Sequence, residues 1–261
     1  QSHSVSGNGI LEESGKPYVV VEDDIKTLYF NAYHVQSEMD LLAPNKLALG
    51  YTQAMMGVLL LLDQPQEILI IGLGGGSLSK FCYEYFSGAT VTTVEINPDV
   101  IALRNEFFIP ADNERFRIVQ ADGAEYVQNK SGIADLIFLD AYDEFGIPAA
   151  LTTPAFYRNC RNALRHDGVL VSNFNCNDVD LEHYMERLAQ VFYGKVMEAD
   201  AATSYNQIMF ALKDAKLLSF KSLQEKSRQL QAQLKFDFPR YLKQMWESGK
   251  KRPELLVWLQ D

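Results

Sequence analysis

Between Glu67 and Phe174 the sequence alternates short apolar runs with amphipathic segments. Five of these runs have the Ile-, Val- and Leu-rich composition of strands buried on both faces: EILII, TVTTVE, FRIVQ, ADLIFLD and GVLVSNF. Helical segments lie between them, and two begin with a capping residue followed by proline, at Asn97 and Thr153. This alternation predicts an α/β fold with a doubly wound, mostly parallel sheet.

The segments on either side of this region have different patterns. PYVVVEDD and TLYFNAYHV predict two short strands of a small N-terminal β-hairpin unit, and Leu47 to Leu62 predicts a helix that Pro65 ends. KVMEAD and NQIMFALK predict two final strands. Ser219 to Trp258 predicts a charged helical tail. Packing on the core is the favoured role of this tail, and covering the site or mediating dimerisation are the alternatives.

Charge and composition exclude several classes of function. The formal net charge of -10 argues against a protein that binds the phosphate backbone of nucleic acids. The longest apolar run, Ala54 to Leu62, is too short for a bilayer, which takes about 20 residues, so we expect no membrane partner. The three cysteines form no CxxC pair and the four histidines have no metal-ligand spacing. We therefore expect no metal and a cytoplasmic location.

A glycine-rich turn directly follows the first strand of the alternating region. GLGGGS contains Gly72, Gly74, Gly75 and Gly76. Glycine lets the backbone turn tightly and approach a ligand closely, so that amide groups and a helix N-terminus face it. A tight turn that binds nothing is the alternative, but glycines this dense favour a nucleotide site. The loop alone is compatible with NAD and with S-adenosyl ligands.

Acidic residues follow the next two strands. Glu95, with Ile96 beside it, ends TVTTVE and can accept hydrogen bonds from both ribose hydroxyls. Asp122 can accept from the amino group of adenine, with the amides of Gly123 and Ala124 near the ring. Solvent exposure of Glu95 and helix capping by Asp122 are the alternative roles. A glycine loop, a Glu and an Asp at successive strand ends favour an S-adenosyl ligand over NAD.

With these segments in place, the chain resembles the spermidine synthase family of aminopropyltransferases, in its bacterial spermidine-synthase-like branch. The resemblance covers roughly Tyr18 to Lys213. It rests on seven segments in order: QSEMD, YTQAM, IIGLGGGS, VEINPDVI, ADGAEYV, IFLDAYDEFGIPAAL and FYRNCRNALRHDGVL. It implies a methyltransferase-like Rossmann fold and transfer of an aminopropyl group from decarboxylated S-adenosylmethionine to a small amine or polyamine. It also implies a homodimer.

The resemblance implies roles for individual residues. Glu95 would bind the ribose and Asp122 the adenine, while Gln36 resembles the family's glutamine near the donor. Tyr51 and Gln53 resemble the family's tyrosine–glutamine pair, with one extra residue between them.

Two acids three residues apart, Asp140 and Asp143, match the family's gate segment. A carboxylate at Asp140, the end of a core strand, can take a proton from an attacking ammonium or hold the amine in line. Asp143 could bind the substrate amine by a charge-assisted hydrogen bond. A structural role in its own loop is the alternative for Asp140, and simple solvation is the alternative for Asp143.

The glycine loop departs from the family at one position. The family places an Asp near the donor's aminopropyl nitrogen, and Gly75 occupies that position here. The change removes an attraction for a cationic donor and also a repulsion against the carboxylate of ordinary S-adenosylmethionine. The donor form, decarboxylated or not, is therefore open.

Three functions follow from these patterns. The favoured one is a transferase in which Asp140 is the base and Asp143 binds the amine. A methyltransferase that uses S-adenosylmethionine is the second, and a non-catalytic protein that binds nucleosides or polyamines is the third. We predict four parts of the chain: a disordered segment at 1–15, the β-hairpin unit and connecting helix at 16–65, a nucleotide-binding catalytic domain at 66–215 and the helical tail at 216–261.

Overall fold

The computed structural model describes residues 16–31 and 34–261. The segment predicted to be disordered, 1–15, lies outside the described residues. The strands are β1 Tyr18–Glu22, β2 Ile25–Asn31, β3 His34–Asp40, β4 Glu67–Ile71, β5 Thr90–Glu95, β6 Phe116–Gln120, β7 Ala134–Leu139, β8 Leu164–Asn175, β9 Val196–Asp200, β10 Asn206–Leu212, β11 Leu218–Ser219 and β12 Leu259–Gln260. The α-helices are α1 Gly50–Met55, α2 Ser77–Tyr85, α3 Pro98–Ala102, α4 Gly123–Tyr126, α5 Pro154–Ala163, α6 Leu181–Val191, α7 Phe220–Leu234, α8 Phe238–Lys250 and α9 Pro253–Leu256.

The main sheet has the predicted doubly wound arrangement. In the described part of the chain its seven strands have the order β6-β5-β4-β7-β8-β10-β9. Strands β4 to β8 pair in parallel, and β10 runs antiparallel between β8 and β9. The order reverses direction between β4 and β7, because β5 and β6 extend one side of β4 and β7 begins the other. This reversal creates a crevice at the carboxyl ends of β4 and β7, where open α/β sheets bind ligands.

Both predicted helix starts are confirmed. The Asn97 side chain accepts from the amide of Asp99 at 2.9 Å, and the Thr153 hydroxyl accepts from the amide of Phe156 at 3.0 Å. Each cap is followed by proline at the first helical position. The helix after Asn97 is short, however, and ends at Ala102 rather than continuing through the predicted NPDVIALRNEFF segment.

The N-terminal unit differs from the predicted hairpin. The strand predicted over Thr27–Val35 is two strands, β2 and β3, so the described residues form a three-stranded antiparallel sheet. Strand β3 escaped prediction because it buries small or flexible side chains, Ser37 and Met39, between polar neighbours. Its pattern therefore lacks the β-branched and aromatic residues that normally indicate a strand.

The helix predicted from Leu47 to Leu62 is shorter than expected. An α-helix spans Gly50–Met55 and a 3₁₀ helix continues over Met56–Leu60, so Pro65 lies beyond the helical end. Every residue of the 3₁₀ helix is buried. Packing on all sides, rather than an amphipathic period, determines its conformation.

The N-terminal unit, the sheet and the tail share one hydrophobic core. Leu28 and Met39 of the first sheet belong to the same buried cluster as Ile70 of β4 and Trp246 of α8. The tail thus packs on the core, as predicted. It contains three helices, α7, α8 and α9, and its end pairs with its beginning through β11 and β12. No helix within residues 16–31 and 34–261 combines the length and the apolar character needed to cross a bilayer.

A buried lysine connects the N-terminal unit to the main domain. The Lys80 side chain on α2 is 3% exposed and donates to the carbonyls of Phe107 at 2.7 Å and Pro44 at 2.8 Å. Its ammonium also lies 3.1 Å from the sulfur of Met39. Burial lowers the pKa of Lys80 to about 8 from 10.5. The lysine therefore ties β3 and the loop after it to the loop that contains Phe107.

Replacing Lys80 by methionine is expected to lower the free energy of unfolding by about 1–3 kcal/mol, because two buried carbonyls lose a donor. The lowered pKa means that the unfolded chain binds more protons than the folded one between about pH 8 and 10.5, so wild-type stability from this group rises with pH in that window. Chemical denaturation at pH 7.5 and 9.5 measures both effects. The exposed Lys46→Met is the control; equal stability losses in the two variants would contradict the role of Lys80.

Candidate active site

Gly72 lies at the crevice where the strand order reverses. Its amide donates to the carbonyl of Val94 at 2.9 Å, and the amide of Asp140 donates to the carbonyl of Ile71 at 2.9 Å. A Cβ at Gly72 would lie 2.2 Å from the carbonyl oxygen of Asp140, and the backbone has φ +104°. Only glycine meets both conditions. The sequence therefore brings the glycine loop against the strand end that carries Asp140.

Glu95 contacts the glycine loop directly. One carboxylate oxygen accepts from the amide of Leu73 at 3.1 Å and the other from the amide of Asn97 at 2.9 Å. Burial raises the pKa of Glu95, and these amide hydrogen bonds oppose the rise. Each carboxylate oxygen retains capacity for a further donor. The neighbouring Ile96 is exposed.

Asp122 caps the helix that follows it. Its Oδ1 accepts from the amide of Ala124 at 2.8 Å, at the start of α4. The predicted alternative of capping is therefore confirmed. Gly123 is buried, and a Cβ there would lie 2.6 Å from Cγ2 of Ile71, so the helix start approaches β4 closely. Asp122 and Glu95 follow neighbouring strands at the same edge of the sheet.

The space beside Gly75 is occupied by the N-terminal unit. A Cβ at Gly75 would lie 2.6 Å from Oγ and 2.9 Å from Cβ of Ser37, and 3.1 Å from the ring of Phe107. The Ser37 hydroxyl lies 3.2 Å from the hydroxyl of Ser77, which begins α2. Strand β3 thus packs against the position at which the resemblance predicts a carboxylate side chain.

Asp140 is held by side chains from two elements, α1 and β8. Its Oδ1 accepts from Nδ2 of Asn173 at 3.0 Å, and its Oδ2 accepts from the hydroxyl of Tyr51 at 3.4 Å. The same hydroxyl lies 3.3 Å from the carbonyl of Gln36 on β3. Burial raises the pKa of Asp140 from 3.8 to about 7, although both side-chain hydrogen bonds favour the ionised form. A carboxyl with this pKa can take up and release a proton at neutral pH.

The second gate acid lies on an exposed turn. Asp143 and Gly146 exchange backbone hydrogen bonds, and the Asp143 carboxylate accepts from the amide of Phe145 at 2.8 Å. Gly146 has φ +118°, which this turn requires. Phe145, at the tip of this turn, is 90% exposed.

A cavity of about 670 Å³ opens over Asp140. Of the predicted site residues it is lined by Gln36, Tyr51, Asp140 and Asp143. Glu144 and Asp178 add two further acids, and the described lining residues include no lysine or arginine. His34 is the basic residue of the described lining. The cavity therefore has the charge to attract a cationic ligand.

The structure separates the remaining predicted residues from this cavity. The described lining does not include the glycine loop, Glu95 or Asp122, which continue along the carboxyl edge through β4, β5 and β6. Gln53, the second member of the predicted pair, donates to the carbonyl of Leu47 at 2.9 Å. Of that pair, Tyr51 reaches Asp140.

Sequence reasoning missed the asparagines and a tyrosine around Asp140. Asn173 near the end of β8 donates to Asp140 and accepts from Nδ2 of Asn206 at 2.9 Å. The hydroxyl of Tyr142 donates to the carbonyl of Asn173 at 2.7 Å. The sequence did contain a signal for Asn173. It is a polar residue in the otherwise apolar run GVLVSNF, near the carboxyl end of the fifth predicted strand.

A cluster of one histidine and two aspartates lies elsewhere, on the surface. Ligand atoms of His166, Asp167 and Asp214 lie within 4.8 Å of one another. His166 Nδ1 is already 2.9 Å from the Asp214 carboxylate, and His166 and Asp167 are exposed. None of the three lines the cavity over Asp140.

Comparison with known proteins identifies the family of the chain. Residues 48–233 match the family described as the spermine/spermidine synthase domain. The polyamine aminopropyltransferase of Chromobacterium violaceum is 38% identical over 231 residues, which are 88% of each chain. The name of this relative is that of a transferase, which is the class of enzyme that the sequence of this chain predicts.

Two solved structures share the fold. A probable spermidine synthase from Corynebacterium glutamicum has a TM-score of 0.69 at 18% identity and covers 84% of this chain and 85% of its own. Human methyltransferase-like protein 13, solved in complex with SAH, has a TM-score of 0.64 at 24% identity, covering 72% of this chain and 93% of its own. The predicted methyltransferase-like α/β fold with a small N-terminal β unit is confirmed. The chain belongs to the spermine/spermidine synthase family.

Proposed function

We propose that this protein transfers an aminopropyl group from decarboxylated S-adenosylmethionine to a small amine or polyamine. The observation that carries the proposal is Asp140, a half-buried acid with a pKa of about 7 at the floor of a cavity rich in carboxylates. An amine nucleophile must lose a proton as it attacks, and a base with this pKa suits that task near neutral pH.

The strand ends would hold the nucleoside of the donor. The glycine loop, through Gly72, Gly74, Gly75 and Gly76, would approach the donor with its backbone amides. Glu95 would accept from the ribose hydroxyls with the lone pairs that Leu73 and Asn97 leave available. Ile96 would cover one face of the nucleoside.

The other end of the donor site would recognise the base. Asp122 would accept from the adenine amino group while it continues to cap α4, with the amides of Gly123 and Ala124 near the ring. Gln36 would contact the donor from β3 at the boundary with the cavity. An S-adenosyl ligand needs no metal at this site, and the absence of a metal stays a prediction.

The reaction itself would take place over Asp140. The acceptor nitrogen attacks the propyl carbon attached to sulfur, the C–S bond breaks, and methylthioadenosine leaves with the electron pair. Asp140 accepts the proton that the new ammonium loses. Asp143 would hold the acceptor amine, and the hydroxyl of Tyr51 would keep the Asp140 carboxylate in position. Catalysis would rest on positioning and proton removal.

The cavity supports the decarboxylated donor although the loop has no acid. The carboxylates of Asp140, Asp143, Glu144 and Asp178 line the cavity together. The carboxylate of ordinary S-adenosylmethionine would be repelled there, whereas a cationic aminopropyl group would be attracted. The negative potential of these carboxylates would thus discriminate between the two donors in place of the acid that is missing at Gly75.

The roles of the parts of the chain, the oligomeric state, the location and the partners also form part of this proposal. Residues 66–215 would bind the donor, 16–65 would supply Gln36 and Tyr51, and 216–261 would support the core from outside. A homodimer in the cytoplasm is the proposed working form, with no nucleic-acid or membrane partner. Sedimentation of the purified protein measures the oligomeric state.

The donor form is tested by calorimetric titration of the protein with each donor, followed by detection of the nucleoside product. We expect tighter binding of decarboxylated S-adenosylmethionine and formation of methylthioadenosine with a panel of diamines and triamines. Preferred binding of S-adenosylmethionine and release of S-adenosylhomocysteine would favour the methyltransferase alternative. Binding without any product would favour the non-catalytic one.

A further inference from the structure

We propose that Asn206 and Asn173 are positioning residues that form an amide relay, which fixes Asp140 as a proton acceptor through its Oδ2 atom. The inference rests on the proposed role of Asp140 as the base. It assigns a task to two residues on β8 and β10 that sequence reasoning did not identify.

The relay is a continuous chain of hydrogen bonds. Nδ2 of Asn206 donates to Oδ1 of Asn173 at 2.9 Å, and Nδ2 of Asn173 donates to Oδ1 of Asp140 at 3.0 Å. Asn173 is 3% exposed, so water competes little for its amide. The hydroxyl of Tyr142 holds the backbone carbonyl of Asn173 at 2.7 Å. Asn173 is therefore fixed at its backbone and at both ends of its side chain.

Chemistry determines the direction of the relay. An ionised Asp140 only accepts hydrogen bonds, so Asn173 must present its NH₂ group to it. The Asn173 oxygen then faces Asn206, which must donate. If Asn206 could not donate, the Asn173 amide would be free to turn its oxygen toward Asp140. Two acceptors would then face each other unless Asp140 took up a proton.

The relay also distinguishes the two oxygens of Asp140. Oδ1 is engaged by Asn173, whereas the hydroxyl of Tyr51 reaches Oδ2 at the longer distance of 3.4 Å and lies 3.3 Å from the carbonyl of Gln36 as well. Oδ2 thus accepts the weaker of the two hydrogen bonds, and it is the oxygen that we assign to the proton of the acceptor amine. A hydrogen bond to the ionised form lowers the pKa of a carboxyl, so the relay opposes the effect of burial and keeps the base available near neutral pH.

Other groups face Asp140 and must be considered in any pH dependence. Tyr51 on α1 and Tyr142 after β7 contact or approach the carboxylate, and burial and the charge of Asp140 raise the pKa of both hydroxyls. The remaining titratable residues of the described cavity lining are His34, Asp143, Glu144, Asp178 and Tyr205. None of these five residues takes part in the hydrogen bonds that connect Asn206, Asn173 and Asp140.

The test is a substitution that reverses the relay. In Asn206→Asp, residue 206 accepts only, so Asn173 should turn its NH₂ toward it and its oxygen toward Asp140. The pKa of Asp140, read from its carboxyl ¹³C resonance and assigned with Asp140→Asn, is expected to rise by about one unit or more. The acidic limb of the pH–rate profile should move by the same amount. Asn206→Ala, which only frees the amide, should give a smaller rise.

The charge added by Asn206→Asp acts through space as well, so the same substitution is made in the Asn173→Ala background. The relay predicts that most of the shift disappears there, whereas a through-space effect would persist. An equal shift in both backgrounds, or no shift in Asn206→Asp and Asn206→Ala, would overturn the relay. If Asn206→Asp does not fold, Asn206→Ala in both backgrounds decides the matter. Because the ¹³C titration needs no turnover, an inactive wild type would contradict the proposed function and leave the relay testable.

Discussion

Asp140→Asn is expected to lower kcat for aminopropyl transfer by about 10²–10⁴-fold, the usual contribution of a general base. Asparagine keeps the shape of the side chain, and its oxygen can still accept from Asn173. It cannot accept the proton that the attacking amine releases. Rates measured over pH 6–9 with saturating donor give the size of the loss, and the fall of the wild-type rate below about pH 7 should be absent from the variant.

Stability separates this loss from unfolding. The pKa of Asp140 in the fold, about 7, lies above its ordinary value of 3.8, so the folded state binds more protons than the unfolded state in that window. Stability from this group is complete below about pH 4 and is lost as pH rises through 7. Asp140→Asn should therefore unfold at the same temperature as wild type at pH 8, or higher. A variant that retains wild-type kcat, or loses activity only because its melting temperature falls, would contradict the role of base.

Gly75→Asp, which introduces the acid that the resemblance predicts at this position, is expected to lower the free energy of unfolding by roughly 2–4 kcal/mol. The new Cβ would lie 2.6 Å from Oγ and 2.9 Å from Cβ of Ser37. Ser37 is on a strand of a sheet, so its Cβ cannot move away without shifting β3. The new carboxylate would also be placed at a buried position of the loop.

Two further variants identify the cause. Gly88→Asp is the matched control, because no atom lies within 4 Å of a Cβ at that position, and its stability should stay within about 0.5 kcal/mol of wild type. Ser37→Gly combined with Gly75→Asp should recover part of the loss. Chemical denaturation and donor titration measure both. A Gly75→Asp protein as stable as wild type and with higher affinity for the decarboxylated donor would show that the space is available.

Much of the fold follows from local patterns. The central parallel strands β4 and β7 are apolar on both faces. Asn97 and Thr153 determine helix starts through side-chain bonds to amides only a few residues away. The carboxyl-edge rule then brings Gly72, Glu95 and Asp140 to one side of the sheet without further information. These features can be predicted because each depends on residues that are close together in the sequence.

The missed features depend on contacts between distant segments. Asn206 reaches Asn173 because β10 pairs with β8 in the register that places Ile208 opposite Asn173, and no local pattern determines that register. Ser37 fills the space beside Gly75 because the N-terminal sheet packs on the glycine loop. The division of the predicted strand at Thr27–Val35 into β2 and β3 likewise reflects pairing rather than propensity.

The central claim is that the group transferred is aminopropyl and the acceptor is an amine. Wild-type protein incubated with equal amounts of decarboxylated S-adenosylmethionine and S-adenosylmethionine, together with a mixture of diamines and triamines, tests it in one mass-spectrometric measurement of the acceptors. The account predicts amines that have gained an aminopropyl group, with methylthioadenosine in equal amount, and at least about 100-fold less of this product with Asp140→Asn at the same short incubation time. Amines or other acceptors that have gained a methyl group, with S-adenosylhomocysteine as the nucleoside product, would contradict it.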